Sequence, residues 1–287
     1  MARLQAKWSS ACCPDMGTFF FVSTPVGNLK DISFRAVEVL QASDVIFCED
    51  TRHSLKLLRH HGIEKHLESF HNFSDAGRLE KIRTLLEEGK TLSYISDAGT
   101  PLLSDPGFEI VRYFNEHEIS YDVIPGASAL LPALQLSGMP TDRFLFAGFL
   151  PRKESEIRQV LTLLEQVPAT LVFYQSPRRI HRTLSILAAA WPGRMVAVVK
   201  EVTKLHQQVK RGLPGELADV FTDAEKGEFV LVVAPPDMGA GDVDDAALRQ
   251  EFGLLIDCDI PRKQAARFLA KKYKLNGKEL YRQSLDW

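Results

Sequence analysis

Three loops hold the residues best suited to grip a small ligand. The first is Ser23-Thr-Pro-Val-Gly-Asn-Leu-Lys-Asp31, a strand-to-helix turn with one proline and one glycine. Alone it reads as a structural turn, and it lacks the GxGxxG dinucleotide fingerprint. The second runs from Ser96 to Gly107, with Gly99, Pro101, Pro106 and Gly107 stiffening it. Such a loop can press exposed backbone groups against a flat ligand, and Asp97 can accept from a hydroxyl or an amine. Its second half can equally cap a helix, with Asp105 as N-cap and Pro106 at the first helical position. The third, Pro125-Gly126-Ala127-Ser128-Ala129, puts small residues at a helix start. Small residues let a ligand approach the backbone closely, and tight packing accounts for them equally well. All three follow expected strands, where open α/β sheets bind ligands.

Other constellations carry less. Arg178, Arg179, His181 and Arg182 gather cations at a helix start, which suits either an anion or a solvated face. His53, His60, His61, His66 and His71 crowd the region after Cys48, but their irregular gaps give no zinc-type ligand pair, so no metal is expected. Neither GxSxG nor a P-loop occurs.

These loops need a frame. The chain has 287 residues, 45% hydrophobic and 25% charged, with a net charge of −2. That is an ordinary globular composition, with length for roughly two domains of about 150 residues. No apolar run approaches the roughly 20 residues of a membrane span. Cys12, Cys13, Cys48 and Cys258 form no CxxC pair, which fits a reducing, cytoplasmic setting. Residues 1–15 read as a disordered leader, with Met16 an alternative start just before the first strand.

Short apolar runs alternate with amphipathic helical patterns. Strands are expected at Phe19–Ser23, Val45–Cys48, Thr91–Ser96 and Tyr121–Ile124. Helices are expected at Ser33–Gln41, Thr51–His61, Asp75–Glu88, Pro106–His117 and Ala127–Ser137. This alternation predicts a mostly parallel sheet covered by helices. After Pro140 come a strand at Phe144–Phe149 and a charged segment, Pro151–Arg158. Further strands follow at Thr170–Tyr174, Met195–Lys200, near His206–Arg211 and at Phe229–Val233, with a helix at Pro177–Ala190. A second α/β layer with a mixed sheet is expected. The reading divides the chain into an α/β domain at 16–140, a second at 141–236, a linker at 237–245 and a helical tail at 246–287.

The tail is cationic. Arg262, Lys263, Arg267, Lys271, Lys272, Lys274, Lys278 and Arg282 are opposed within their own stretch only by Glu279. Ala266, Leu269, Ala270 and Tyr273 form an apolar stripe, Asn276–Gly277 a turn and Lys278–Leu285 a second helix. A cationic helical hairpin fits phosphate-backbone contact, and also a merely solvated face.

TPVGNLKDIS, CEDTRHSLKLL, ISDAGTPLLSDPG, IPGASA, SGMPTDRFLFAGFLP, FYQSPRRI and KEVTKLHQQVKRG occur in this order. Together they resemble the ribosomal RNA small subunit methyltransferase I family, of the tetrapyrrole-methylase-like fold, over residues 17–285. CEDTR, TDRFLFAGFLP and KEVTK are the motifs most specific to the RNA family.

The resemblance implies two α/β domains with S-adenosylmethionine in the cleft between them, a homodimer, and methylation of the ribose 2′-hydroxyl of a cytidine in the decoding region of 16S rRNA, within the 30S subunit. It places the cofactor against Pro25 and Gly27, against Asp97, Gly99, Thr100 and Pro101, and against Ser128 and Ala129. Tyr174, Ser176 and Thr203 would close it in. Methyl transfer to a hydroxyl needs positioning and a proton acceptor. Glu49 or Asp50 can accept the proton while Arg52 holds a phosphate; a helix opening with Asp50 as cap and Arg52 paired to it fits the same residues. Lys204 and Arg152 or Lys153 are further candidates for RNA phosphates. The small-molecule methylases of the same fold are the rival reading, as is a catalytically weak RNA-binding assembly protein.

Three positions depart from the family pattern. His71-Asn72-Phe73-Ser74-Asp75 stands where many members resemble H-x-H-N-E, Gln175 stands for a glutamate in FYESP, and Gln207 for an acidic residue after TK. Each removes a titratable group near the expected cleft.

Overall fold

The computed structural model describes residues 16–70, 76–105, 107–222, 224–236, 245–273 and 275–287. The expected leader and the His71–Asp75 stretch lie outside the described residues. The chain forms two compact units: residues up to 165 with 169–234, and residues 235–287 with 166–168.

The first unit holds two five-stranded sheets. One contains β1 (Phe19–Val22), β2 (Val45–Cys48), β3 (His66–Ser69), β4 (Leu92–Ile95) and β5 (Tyr121–Ile124). Its order is β3-β2-β4-β1-β5, and every pair is parallel. The run FFFV of β1 is buried at each position. Phe19 and Phe21 enter a core with Phe47, Tyr94 and Phe114 on one face. Phe20 and Val22 join Leu40, Ile46 and Ile95 on the other. A parallel sheet covered on both faces demands such an unbroken apolar run. Each of these side chains contributes about 1.5–3 kcal/mol by leaving water.

The other sheet contains β6 (Phe144–Phe149), β7 (Thr170–Gln175), β8 (Val196–Lys200), β9 (Gln208–Gly212) and β10 (Phe229–Val233). Its order is β6-β7-β10-β8-β9, parallel at β6–β7 and antiparallel elsewhere. One helix ties the sheets together. Leu130–Ser137 follows β5, yet packs Leu130, Ala133 and Leu134 on Val172, Ala197, Val199, Val230 and Val232 of the second sheet. The residues just before it are thereby held against both sheets.

Several elements differ from expectation. Strand β3 reads HLES, too polar to stand out, because it is an edge strand whose partner among the described residues is β2. The charged segment after Pro151 opens a helix, Glu154–Leu164, that buries Ile157 and Leu161. A short helix, Pro214–Ala218, has no periodic signal at five residues. The helix expected from Pro106 begins at Phe108, and its N-cap is Gly107 at φ +111° with no side-chain cap. Asp105 therefore does not cap it. The helix expected from Ala127 begins at Leu130, which leaves Ser128 and Ala129 ahead of it.

The second unit is helical: Asp245–Asp257, Arg262–Tyr273 and Gly277–Gln283. Leu248, Phe252, Ala265, Ala266, Leu269, Ala270 and Leu280 form its core. Asn276 caps the last helix, its side chain accepting the N–H groups of Lys278 and Glu279 at 3.0 and 3.4 Å. Glu251 meets both Lys272 and the Tyr273 hydroxyl, so the tail's charge is opposed from a neighbouring helix as well. Lys263, Arg267, Lys271, Lys278 and Arg282 stay exposed. Among the described residues no helix is long and apolar enough to cross a membrane.

Candidate active site

The three loops meet at the C-terminal ends of β1, β4 and β5. Thr24 and Gly99 exchange backbone hydrogen bonds at 2.8 and 2.9 Å. The Thr24 hydroxyl donates to the Ser96 carbonyl at 3.2 Å. The Ser23 hydroxyl donates to Thr100 Oγ1 at 3.3 Å, and the Thr100 hydroxyl to the Ala127 carbonyl at 3.1 Å. Gly126 serves packing, since a Cβ there would stand 2.9 Å from that of Ser23. Leu102 and Ser104 hold φ of +74° and +70°, strain of the kind that gathers at binding sites.

A cavity of about 480 Å³ opens over these loops and the second sheet. Of the residues expected at the cofactor, Asp97, Gly99, Thr100, Ser128, Ala129, Tyr174 and Ser176 line it. Pro25 and Gly27 instead line a second cavity of about 440 Å³. The two cavities share Val26, Asp97, Ala98 and Glu228. Pro101 is buried beneath the loop and lines neither, and Thr203 lies in the turn after β8.

Four carboxylates, Glu49, Asp97, Asp105 and Glu228, line the first cavity, with no lysine, arginine or histidine among the described residues. Burial pushes the Asp105 carboxyl up to about 6; the Ser96 hydroxyl opposes this, and the charges of Glu49 and Asp97 add to it. Burial likewise raises the Tyr94 phenol, helped by Glu49 and Asp105. Tyr174 is raised by burial against a hydrogen bond with Ser128. Its ring lies edge-on to Phe146 and Phe149, at 4.8 and 5.5 Å, making an aromatic wall. Sequence reasoning misses Asp105 as a lining residue because Asp-Pro-Gly also spells a helix cap.

The Glu49–Arg52 cluster divides. Asp50 caps the helix Thr51–His60, Oδ1 accepting the Arg52 N–H at 2.8 Å. The Arg52 guanidinium grips the same carboxylate at 2.8 and 3.2 Å. Its hydrogen bonds hold the Asp50 carboxyl down to about 2. Asp50 and Arg52 line neither cavity, whereas Glu49 lines the first. The Asp97 carboxylate accepts the backbone N–H of Asp50 at 3.1 Å, joining the β2 and β4 loops.

Both glutamines that replace acids act as backbone acceptors. Gln175 is buried; its oxygen accepts the Ser176 N–H at 2.9 Å and its nitrogen donates to the Thr183 hydroxyl. Gln207 Oε1 accepts the Thr203 N–H at 2.8 Å. That bond braces a turn in which Glu201 and Thr203 have φ of +54° and +62°. Lys204, in the same turn, sits between Glu201 and Glu228 at 3.0 and 3.1 Å. Of the Arg178–Arg182 cations, Arg179 donates to the Leu150 and Pro151 carbonyls and Arg182 pairs with Glu154. Among the described residues no group of three His, Cys, Asp or Glu could hold a metal.

A cavity ringed by carboxylates, loop backbone and aromatic rings suits a small ligand with net positive charge and a flat ring. Residues 18–218 match the model of the Tetrapyrrole (Corrin/Porphyrin) Methylases. The ribosomal RNA small subunit methyltransferase I of Synechocystis sp. is 41% identical over 276 residues, spanning 94% of this chain and 98% of that protein. The protein of that name from Escherichia coli O157:H7 is 38% identical over 274 residues, spanning 94% and 95%. The chain belongs to the ribosomal RNA small subunit methyltransferase I family. Two solved structures share its fold at low identity. Cobalt precorrin-4 methyltransferase, CbiF, matches with a TM-score of 0.60 at 15% identity, covering 77% of this chain and 95% of its own. Diphthine synthase matches at 0.57 and 16%, covering 76% and 89%. The chain thus has two five-stranded sheets followed by a helical unit, and the two relatives match it over 94% of its length.

Proposed function

We propose that the protein methylates the ribose 2′-hydroxyl of a cytidine in the decoding region of 16S rRNA, within the 30S subunit, using S-adenosylmethionine. The observation that carries this reading is the acidic first cavity, free of basic side chains among the described residues, in a chain whose relatives are named ribosomal RNA methyltransferases.

When bound, S-adenosylmethionine supplies an electrophilic methyl on a positively charged sulfur. Glu49, Asp105 and Glu228 offset the ligand's net positive charge, and the low dielectric of a closed cleft strengthens that attraction. Phe149 and Tyr174 offer a face to a flat base. Gly99, Thr100, Ser128, Ala129 and Ser176 present backbone and small polar groups to the rest of the ligand. Pro101 stiffens its loop from below. Thr203, Pro25 and Gly27 act from the adjoining turn and the second cavity.

The proton acceptor in this reading is Asp97. It and Glu228 are the carboxylates that line both cavities, and Glu228 is engaged by Lys204. One Asp97 oxygen accepts the Asp50 N–H, which fixes the carboxylate and aims its remaining lone pairs. A positioned base typically contributes about 10²–10⁴ in rate. Residues 16–140 and 141–236 serve as the two catalytic domains. The exposed cations of 246–287 contact RNA phosphates, as Arg152 and Lys153 also can. The protein acts as a cytoplasmic homodimer and needs no metal.

Incubation with labelled S-adenosylmethionine and 30S subunits lacking decoding-site methylation tests this reading. Label in the RNA fraction is expected. Tight cofactor binding with no label in RNA would overturn it.

A further inference from the structure

The second cavity differs from the first in its charge. His53, Lys56 and Lys204 line it along with Asp97 and Glu228. It opens beside the helix Thr51–His60, whose sequence TRHSLKLLRH contains no acidic residue. Arg52, His53, Lys56, Arg59 and His60 are exposed on that helix. Arg52, Lys56 and Arg59 recur at a spacing of four and then three, which puts them on one face. Their span is about 10 Å along the axis at 1.5 Å per residue. Arg52 is anchored to Asp50, yet its side chain remains 90% exposed.

Inside the cavity the polar group that stands out is Ser54. It is 2% exposed, and its hydroxyl makes no hydrogen bond of normal geometry. The thiol of Cys48 interacts with it but is a weak partner. A buried hydroxyl left this way is costly unless a ligand completes it.

We propose that the second cavity is the acceptor subsite: a nucleotide's ribose seats against Ser54 while its flanking phosphodiesters run over Arg52, Lys56 and Arg59. This rests on the methyltransferase reading above and gives it a direction. The donor occupies the acidic cavity, the acceptor sugar the basic-rimmed one, and Asp97 stands in the wall between them. A ribonucleotide strand fits because it combines a polar sugar with repeating negative charge.

The double variant Lys56→Glu, Arg59→Glu alters exposed residues outside the proposed donor cavity. Binding of the full chain to unmethylated 30S subunits should weaken at least about tenfold, equivalent to about 1.4 kcal/mol. The slope of log affinity against log salt should flatten by about 0.7 for each phosphate that is no longer neutralised. S-adenosylmethionine affinity, followed by calorimetry, should not change. A second variant, Ser54→Ala, should raise KM for 30S subunits while leaving Tm unchanged or higher, which a purely structural hydroxyl would not do. Unchanged 30S binding and salt slope in the double variant, with label still transferred, would overturn the subsite and leave the methyltransferase reading standing. A wild-type chain that binds the cofactor and transfers no label to RNA would overturn both.

Discussion

The Asp97 carboxylate accepts the backbone N–H of Asp50 at 3.1 Å, so one of the two acids shared by both cavities is held by the residue that caps the neighbouring helix. The two aspartates therefore sit in different settings. Asp50 is tied to Arg52 through three hydrogen bonds and held near pKa 2, a poor proton acceptor. Asp97→Asn should keep the loop bond and lower kcat by about 10²–10⁴. Asp50→Ser should preserve the cap and keep turnover within about tenfold of wild type. Single-turnover methyl transfer by both variants checks this, and the opposite ranking would return the base role to Asp50.

If the cofactor occupies the first cavity as proposed, its binding should depend on pH through Asp105. Its carboxyl, ordinarily near 4, is lifted by burial to about 6. A cation in the cavity favours the charged form, so binding releases a proton and tightens as pH rises through about 6. S-adenosylmethionine affinity should increase by about tenfold from pH 5 to pH 7, and Asp105→Asn should remove most of that slope. The same shift acts oppositely on folding. A raised carboxyl pKa gives stability that is full below about 4 and is lost as pH climbs through 6. Calorimetric titrations at several pH values, with thermal unfolding of the ligand-free chain, read both effects.

Gln175 satisfies its buried surroundings without a charge. Its oxygen accepts the Ser176 N–H and its nitrogen donates to Thr183 in a buried setting. The side chain's task there is to satisfy two partners, which a neutral amide does without burying charge. Gln175→Leu should strand both and cost about 1–3 kcal/mol by chemical denaturation. Gln175→Glu should fold nearly as well near pH 5 and lose stability as pH rises, because ionising a buried carboxyl is unfavourable.

Gly27 is a point of close approach between the first loop and the turn after β8. A Cβ there would lie 2.4 Å from Lys204 Cγ and 2.9 Å from the Val202 carbonyl. Gly27→Ala should cost about 1–3 kcal/mol through this overpacking and displace the turn that carries Thr203 and Lys204. Methyl transfer should fall further than the drop in folded protein explains. Equal Tm and equal kcat/KM would show the turn to be free to yield.

The parallel sheet is readable from the sequence because its strands are short apolar runs between helical patterns, and FFFV at β1 fits little else. Strand β3 is not, since HLES is an edge strand carrying no apolar signal. The site is partly legible: the loop pattern marks the segments, and the family resemblance picks out Asp97, Gly99, Thr100, Ser128 and Ala129 within them, all of which line one cavity. Asp105 and the second cavity stay hidden for physical reasons. Asp-Pro-Gly is also a helix cap, and nothing local records that helix Leu130–Ser137 packs on the other sheet and brings Tyr174 and Glu228 to the first sheet's loops.

The central claim is tested most directly by the chemical identity of the product. Unmethylated 30S subunits would be treated with the protein and S-adenosylmethionine, and their RNA digested to nucleosides and analysed by mass spectrometry. A 2′-O-methylcytidine signal that depends on both protein and cofactor is the predicted result. A methyl group on a base, on another nucleoside, or on no nucleoside at all would contradict it.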